Sequence, residues 1–319
     1  MIDLTTNPYY LTKDEIDYVY QQVNQMTVDE KIGQLFFVIG QDENTVNLDE
    51  FIDKYKPGGM MFRPGPAKDI KRQIKQIQSR SKYPLFFAAN LESGGNGIVN
   101  EGTWLGMPMQ MAATDNTDAA FQLGSIAGYE ANQVGCNMSF APIVDIDNNF
   151  RNPITNTRTF GSDPKRVLRM AQAQRKGLEE NQVIPVIKHF PGDGVDERDQ
   201  HLLSSINSLS ADDWSNTYGH IYKTFIDKGI STVMIGHIYQ PAWERKLQTG
   251  IKDQDLRPAS ASKLLINGLL RQELGFNGLA MTDATAMVGY NVILSREELL
   301  PATINAGVDM ILFNKNIDE

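Results

Sequence analysis

Eight short apolar segments recur along the 319 residues, and they constrain the fold more than any other feature. Each is almost continuously apolar, which is typical of parallel strands covered on both faces. Amphipathic segments lie between them. Eight strands alternating with helices predict an α/β fold, the (β/α)8 TIM barrel, with a doubly wound open sheet as the alternative. The apolar segments are residues 35–40, 59–62, 85–91, 137–146, 184–190, 231–238, 278–283 and 308–313.

Helix boundary signals separate these segments. Positions 163–164 combine a capping aspartate with a first-turn proline. Ser260 can cap a later helix, and Gly275 can end it. Thr114 or Asp115 can open another helix, which runs past residues 121–126.

The chain ends shortly after the eighth apolar segment. A parallel strand needs a covering helix, because an uncovered strand leaves its apolar face in water. We therefore expect residues 1–319 to form a single barrel domain that lacks the last helix and any C-terminal domain. Either this sequence is a fragment, or the natural chain continues beyond residue 319.

The composition argues against several classes of function. A net charge of −9 disfavours nucleic acid and anionic membranes as partners, since both bind basic patches. No run approaches the ~18 apolar residues of a membrane span. The N-terminus shows no signal peptide, so we expect a cytoplasmic protein. Cys136 is the one cysteine, and its apolar surroundings indicate a buried, inert thiol rather than a nucleophile.

Polar side chains follow most of the predicted strands at the point where each strand ends. In a barrel these ends meet at one rim, where catalytic and binding residues lie. The richest stretch is residues 188–201, which contains two of the four histidines. The polar residues at the strand ends are Asn90, Glu92, Asp145, Asp147, Arg158, Lys188, His189, His237 and Asp283.

Three of these side chains suggest acid, base and nucleophile chemistry. Asp283 ends an apolar strand, so its carboxylate would be held rigidly, as a nucleophile requires. Asp199 and His201 lie two positions apart and can hydrogen-bond, which would orient the imidazole and favour its charged form. Glycines at 192 and 194 and the charged run 196–199 favour a mobile loop around them.

Each residue also has a purely structural interpretation. Asp283 could cap the helix that follows it, and His201 could be an exposed loop histidine. Lys188 could pair with Asp145 or Asp147. His237 could bridge strand ends by packing alone.

Neither a metal nor a cofactor is indicated. His189, His201 and Asp193 could together hold a metal, but their spacing is not that of usual metal sites on barrel rims. The glycine-rich segments 94–97 and 192–194 match neither a dinucleotide fingerprint nor a P-loop.

Four segments together resemble glycoside hydrolase family 3, especially its β-N-acetylglucosaminidase branch. Residues 30–35 are similar to the opening of the family, and residues 188–194 to its central motif. Residues 269–287 resemble its nucleophile segment, and residues 306–310 its last strand. The resemblance covers nearly the whole chain, and the order of the motifs is specific.

The resemblance implies a retaining glycosidase acting on a carbohydrate substrate. Asp283 would be the nucleophile, and His201 the general acid/base supported by Asp199. The implied substrate-binding residues are Lys188, His189, Arg158, Asn90, Asp145, His237 and Met287.

Departures from the family pattern bear on the sugar that is bound. Asp193 stands where the family has a second histidine, and Asn90 where it has an aspartate. The arginine that often follows has no equivalent at 96–100. Loss of a charge-assisted hydrogen bond costs about 1.5–3 kcal/mol, so the sugar subsite is weakened or tuned to another sugar.

Three hypotheses follow. The first is an enzyme that removes β-linked N-acetylglucosamine from non-reducing ends. A neutral imidazole does not repel anions, so phosphate could replace water as the acceptor. The second is a β-glucosidase or xylosidase of the same family, with its acid on a further domain. The third is a non-catalytic sugar-binding barrel or an inactive truncated one.

Overall fold

The computed structural model describes residues 2–40 and 47–313, and these form an α/β fold built on parallel strands. Each of the eight predicted segments contains a strand. The strands are β1 (Phe36–Ile39), β2 (Gly59–Met61), β3 (Phe86–Ala89), β4 (Met138–Ser139), β5 (Ile184–Pro185), β6 (Ile187–Phe190), β7 (Ser205–Ile206), β8 (Thr232–Ile235), β9 (Ile238–Tyr239), β10 (Leu279–Thr282) and β11 (Ile311–Leu312).

The strands pair in the order that a TIM-like barrel requires. Six form a parallel sheet in the order β11-β1-β2-β3-β4-β5, and three form another in the order β10-β8-β6. Two isolated parallel bridges connect these sheets, Ile143 with Lys188 and Met281 with Met310. A short parallel pair, β7 with β9, lies apart from them.

Helices alternate with these strands. The α-helices are α1 (Lys13–Gln25), α2 (Val28–Gln34), α3 (Leu48–Tyr55), α4 (Ala67–Arg80), α5 (Pro108–Ala113), α6 (Thr117–Gln133), α7 (Pro164–Glu180), α8 (Ala211–Trp214), α9 (His220–Asp227), α10 (Pro241–Leu247), α11 (Val288–Asn291) and α12 (Arg296–Ala306). Residues Ser215–Gly219 and Leu264–Glu273 are π-helical. Turns of 3-10 helix cover Gly95–Gly97, Asn156–Arg158, Asp253–Asp255 and Ala259–Ala261.

The capping signals were partly correct. Asp163 caps α7 as predicted, its side chain accepting from the Lys165 amide. Asn116, rather than Thr114 or Asp115, caps α6, because residue 115 has a φ of 51° that takes the chain out of the preceding helix.

The second predicted helix also begins differently. Ser260 lies in a 3-10 turn, and the Ser262 hydroxyl accepts from the Leu265 amide at 3.2 Å, so the capping contact comes two residues later than predicted. Gly275, at a φ of 76°, ends this helix as predicted.

One apolar cluster lies between the parallel strands and lines the floor of the cavity at their carboxyl ends. It draws residues from β1, β2, β3, β4, β8, β10 and β11 and is rich in methionine, whose unbranched chain fills irregular space. Its buried members are Phe37, Met61, Ala88, Met138, Phe140, Val186, Met234, Met281, Met310 and Leu312.

The lone cysteine is buried, as predicted. Burial raises the pKa of the Cys136 thiol to about 12, so it stays protonated and unreactive at neutral pH. Among the described helices, none combines the length and the apolar character that a membrane crossing would need. The expectation of a missing final helix concerns residues 314–319 and beyond, outside the described residues.

Helices α6 and α7 pack at glycines. A Cβ atom at Gly124 would lie 2.0 Å from the Gln174 carbonyl oxygen, and one at Gly177 would lie 2.4 Å from that of Phe121. Both obstacles are backbone atoms, so they cannot rotate away.

We therefore expect Gly124→Ala to destabilise the protein by about 2 kcal/mol, since the overpacking cost exceeds the higher helix propensity of alanine. Urea unfolding measures this. Gly268→Ala is the matched control, because its Cβ would meet only the end of the Leu247 side chain, at 3.0 Å. Equal stability of the two variants would contradict the packing argument.

Candidate active site

A cavity of about 610 Å³ opens at the carboxyl ends of the strands, above the methionine-rich cluster. Most of the sequence-predicted residues meet on its wall. The ionisable and amide side chains that line it are Arg63, Asn90, Glu92, Asn96, Arg158, Lys188, His189, Gln200, His201 and Asp283. Asp145, Asp199, His237 and Met287 lie outside this wall.

Asp283 directly follows β10, and its backbone holds the carboxylate in place. Its N–H donates to the Ile235 carbonyl at 2.8 Å, and its Oδ1 accepts from the Ala284 amide at 2.7 Å. Oδ2 lies 3.9 Å from His189 Nε2. The next helix, α11, begins at Val288 with Met287 at its cap position, so Asp283 does not cap it.

The charge on Asp283 is favoured despite its surroundings. Burial alone would raise the pKa of this carboxyl, but the electrostatic effect of His189 and the hydrogen bond from the Ala284 amide outweigh burial and lower it. Asp283 is therefore an ionised carboxylate, and its Oδ2 is the oxygen that lies near His189 Nε2. A nucleophile needs this state.

His201 and Asp199 form the predicted pair. His201 Nδ1 lies 2.7 Å from Asp199 Oδ1, which also accepts from the His201 backbone N–H at 2.8 Å. Because a carboxylate only accepts, Nδ1 carries a proton and Nε2 is left for chemistry. The His201 side chain is 53% exposed and still lines the cavity that Asp283 lines.

Glu92 neutralises two of the predicted sugar-binding cations. Its Oε1 lies 2.7 Å from Lys188 Nζ and 2.8 Å from Arg158 Nη2, and its Oε2 accepts from Arg158 Nε at 2.9 Å. The alternative in which Lys188 pairs with Asp145 or Asp147 is wrong. Asn90 Oδ1 is a weaker acceptor for Lys188, at 3.4 Å.

Burial and these contacts together shift the pKa values of Glu92 and Lys188. Burial would raise the pKa of Glu92, but Lys188 and Arg158 hold it far below its usual range. Burial also lowers the pKa of Lys188, and Glu92 opposes that effect. The sequence analysis named Glu92 among the polar strand-end residues but assigned it no role in the site, although its position two residues beyond Asn90 was the available signal.

Asp145 supports His189 from beneath the cavity. Its Oδ2 accepts from His189 Nδ1 at 2.7 Å, and its Oδ1 accepts from the backbone amides of His189 and Asp193 at 3.1 and 2.8 Å. Asp145 is fully buried. Its predicted role as a direct sugar ligand is corrected to orienting His189, whose Nε2 then faces Asp283.

His237 is also a supporting residue rather than a ligand. Its ring is buried, with Nδ1 2.8 Å from Ser260 Oγ and Nε2 3.0 Å from the Ala284 carbonyl. Burial lowers its pKa, so a neutral ring donates to Ala284, the residue after the proposed nucleophile. The packing alternative is the one the structure supports.

Met287 is 4% exposed and does not line the cavity, so the prediction that it binds substrate finds no support in the geometry. His220 lies on the surface, away from the cavity. Within residues 2–40 and 47–313, no three histidine, cysteine or carboxylate side chains are grouped so that they could hold a metal ion.

The Glu92 contacts give a stability prediction. Glu92→Gln would leave the buried Lys188 and the partly buried Arg158 without their counter-charge, so we expect a loss of about 3 kcal/mol in unfolding free energy. Glu179→Gln is the matched control, because it breaks a pair with Arg175 in which the carboxylate is 41% exposed. That change should cost less than about 1 kcal/mol. Chemical denaturation compares them, and equal losses would contradict the importance of the buried group.

Comparison with known proteins agrees with this geometry. The family model described as Glycosyl hydrolase family 3 N terminal domain matches residues 27–318. A beta-N-acetylglucosaminidase/beta-glucosidase of Cellulomonas fimi is 44% identical over 319 residues, which are 100% of this chain and 57% of the relative. Beta-hexosaminidase A of Pseudoalteromonas piscicida is 31% identical over 282 residues, covering 83% of this chain and 47% of the relative.

A solved structure, that of the beta-glucoside phosphorylase BglX bound to 2FGlc, superposes with a TM-score of 0.95 and 46% identity, covering 98% of this chain and 56% of that one. The chain thus spans about half the length of the relatives it matches. Together, the family match, the relatives and the superposition show that this chain belongs to glycosyl hydrolase family 3, over the N-terminal domain of that family.

Proposed function

We propose that this protein cleaves β-glycosides with retention of configuration, using Asp283 as nucleophile and His201 as general acid/base. The observation that carries the proposal is that an ionised strand-end carboxylate and an imidazole paired with Asp199 line the same cavity. The same pairing of roles was implied by the family resemblance.

In the first step, an Asp283 oxygen attacks the anomeric carbon while the glycosidic bond breaks. Protonated His201 donates its Nε2 proton to the departing oxygen, and the Asp199 carboxylate stabilises the imidazolium beforehand. In the second step, neutral His201 removes a proton from the acceptor, which attacks the anomeric carbon and releases Asp283. Two inversions give overall retention.

Sugar hydroxyls would meet donors and acceptors on the cavity wall. Lys188, Arg158 and His189 Nε2 can donate, and Asn90 and Glu92 can accept. Their pre-formed network fixes these groups before substrate arrives, which reduces the ordering cost of binding. Asp145 and His237 would act indirectly, through His189 and Ala284.

For the sugar, we propose β-linked N-acetylglucosamine and glucose. The Asp199–His201 pair resembles the N-acetylglucosaminidase branch, and the relative from Cellulomonas fimi carries both names. An Asp–His pair already within this domain makes an acid on a further domain unnecessary, which disfavours the second hypothesis of the sequence analysis. Cytoplasmic location stays a prediction from the sequence.

We also propose that the strands close into a (β/α)8 barrel. Met281 in β10 bridges Met310, next to the edge strand β11 of the larger sheet, and Lys188 in β6 bridges Ile143, which follows β4. With β5 and β6 as successive parts of one strand, these contacts support a continuous ring. Closure would explain why strand ends distant in sequence share one cavity.

Labelling tests the nucleophile. A 2-deoxy-2-fluoro glycoside with a dinitrophenolate leaving group should attach covalently to Asp283, because the fluorine slows release of the intermediate; peptide mass spectrometry locates it. Asp283→Ala should prevent labelling and lower turnover about 10³-fold or more. Asp147→Asn is the control, since Asp147 lies near the site but outside the cavity wall. Labelling elsewhere, or an active Asp283→Ala variant, would overturn the proposal.

A second candidate is phosphorolysis, in which phosphate replaces water in the second step. The 46% identical structure is of a beta-glucoside phosphorylase, and the neutral imidazole of His201 carries no negative charge to repel phosphate. Arg63 adds an exposed cation to the cavity wall. Attack by phosphate would yield a β-sugar 1-phosphate.

Product analysis decides between the acceptors. With a β-glucoside and inorganic phosphate, we expect phosphorus NMR to show sugar 1-phosphate as the main product. His201→Glu should shift products toward free sugar, because a carboxylate repels phosphate but can still serve as acid/base. Free sugar alone from the parent enzyme at saturating phosphate would eliminate this candidate and leave hydrolysis.

A further inference from the structure

Gln200, the residue between Asp199 and His201, is fully buried although its two neighbours are partly exposed. Its contacts reach three separate elements. Its Oε1 accepts from the His237 backbone N–H at 3.0 Å, its Nε2 donates to Asp193 Oδ2 at 3.1 Å, and its carbonyl accepts from the Gly289 N–H at 3.0 Å. The loop is therefore fixed at the residue between the proposed acid and its partner.

The orientation of the Gln200 amide is determined by a group that cannot change its role. The His237 backbone N–H is always a donor, so Oε1 must face it and Nε2 must face Asp193. The carboxylate of Asp193 must then accept. Gly289 approaches so closely that an added Cβ would lie 2.8 Å from the Gln200 carbonyl oxygen, which leaves the loop little room to shift.

Asp193 is itself held firmly. It is 2% exposed, its Oδ1 accepts from Asn152 Nδ2 at 2.8 Å and from the Gly194 amide at 2.7 Å, and its own N–H donates to Asp145. Burial and the Asp145 carboxylate raise its pKa to about 6. Asp193 does not line the cavity, so its role in chemistry can only be indirect.

We propose that Asp193 is a positioning residue, which holds the His201 loop over the cavity through its hydrogen bond to Gln200. The inference rests on the proposed function, because it requires His201 to be the general acid.

Asp193→Asn tests the anchor with almost no change in shape. If the asparagine turns its NH2 toward Gln200, two donors meet; if it turns its oxygen there, its NH2 meets the donors of Asn152 and Gly194. The first orientation loses one hydrogen bond and the second loses two. Gln200→Glu also breaks the contact, by opposing two carboxylates.

The double variant Asp193→Asn/Gln200→Glu restores the contact with its polarity reversed. The carboxylate introduced at position 200 accepts from both the His237 N–H and the NH2 of the introduced asparagine. Recovery in the double variant is an outcome that mere damage to the core would not produce.

The readout compares two β-glycosides of one sugar, a dinitrophenyl glycoside and a methyl glycoside. Only the methyl leaving group needs a proton in the first step, so kcat/KM for this substrate reports the acid. We expect each single variant to lose about tenfold or more on the methyl glycoside, with a much smaller loss on the dinitrophenyl glycoside. The double variant should recover most of the difference.

Asp309→Asn is the matched control. Asp309 is a partly buried carboxylate with a backbone and a side-chain donor, Ala280 N–H and Arg271, and it lies outside the cavity wall. The Asp309→Asn variant should change kcat/KM by the same factor for both substrates. If Asp193→Asn does not fold, Gln200→Glu and the double variant give the same comparison.

Equal losses of kcat/KM on both substrates, or no recovery in the double variant, would overturn the proposal that Asp193 positions the His201 loop. Failure of the proposed function would look different, because the parent enzyme would then not be labelled at Asp283 by the fluoro sugar. We therefore expect the fluoro sugar to label Asp193→Asn at the parental rate, while kcat/KM on the methyl glycoside falls.

Discussion

The cavity depends on counter-charges for groups that are largely withdrawn from water. Lys188 and Arg158 share Glu92, and His189 has Asp145, each at less than 3 Å. Removing an ion from water costs several kcal/mol, which only a close partner with good geometry offsets. Because the pairs satisfy each other, donors can be held in fixed positions on the wall, and a sugar meets groups that need little rearrangement.

This pairing also separates structural charge from reactive charge. Asp283 has no cation at hydrogen-bonding distance among the described residues, and the nearest one, His189, lies 3.9 Å away. Its carboxylate keeps an oxygen that no close counter-ion occupies, while its charge is still favoured by the local field. Glu92, in contrast, is held by two cations at hydrogen-bonding distance, which suits a scaffold and not a nucleophile.

The sequence predicted secondary-structure elements better than it predicted side-chain contacts. All eight apolar segments contain strands, because continuous apolar character is a local property. Capping at residues 114–115 and 260 was misplaced by one or two residues, since several polar residues there could each form the cap. Strand ends correctly grouped Lys188, His189, Arg158, Asn90 and Asp283 at one cavity.

The sequence could not predict which residue each polar side chain of the site contacts. Glu92 and Lys188 are 96 positions apart, and no local pattern joins them. His237 and Asp145 follow predicted strands as the wall residues do, but their side chains are buried outside the cavity wall, where they contact Ala284 and His189. Charge and glycine content predicted a mobile loop at 192–201, whereas the buried Gln200 contacts depend on His237 and Gly289, which lie far along the chain.

The position of the two proposed reactive groups follows from these constraints. The carboxylate that must attack one atom from one direction extends from a strand, where backbone hydrogen bonds fix it. The imidazole must reach both a leaving group and an incoming acceptor, and it lies on a half-exposed loop. A loop alone would leave the imidazole poorly positioned, and positional error is costly in proton transfer. The buried side-chain amide of Gln200, next to His201 in the chain, fixes the loop and leaves the imidazole exposed.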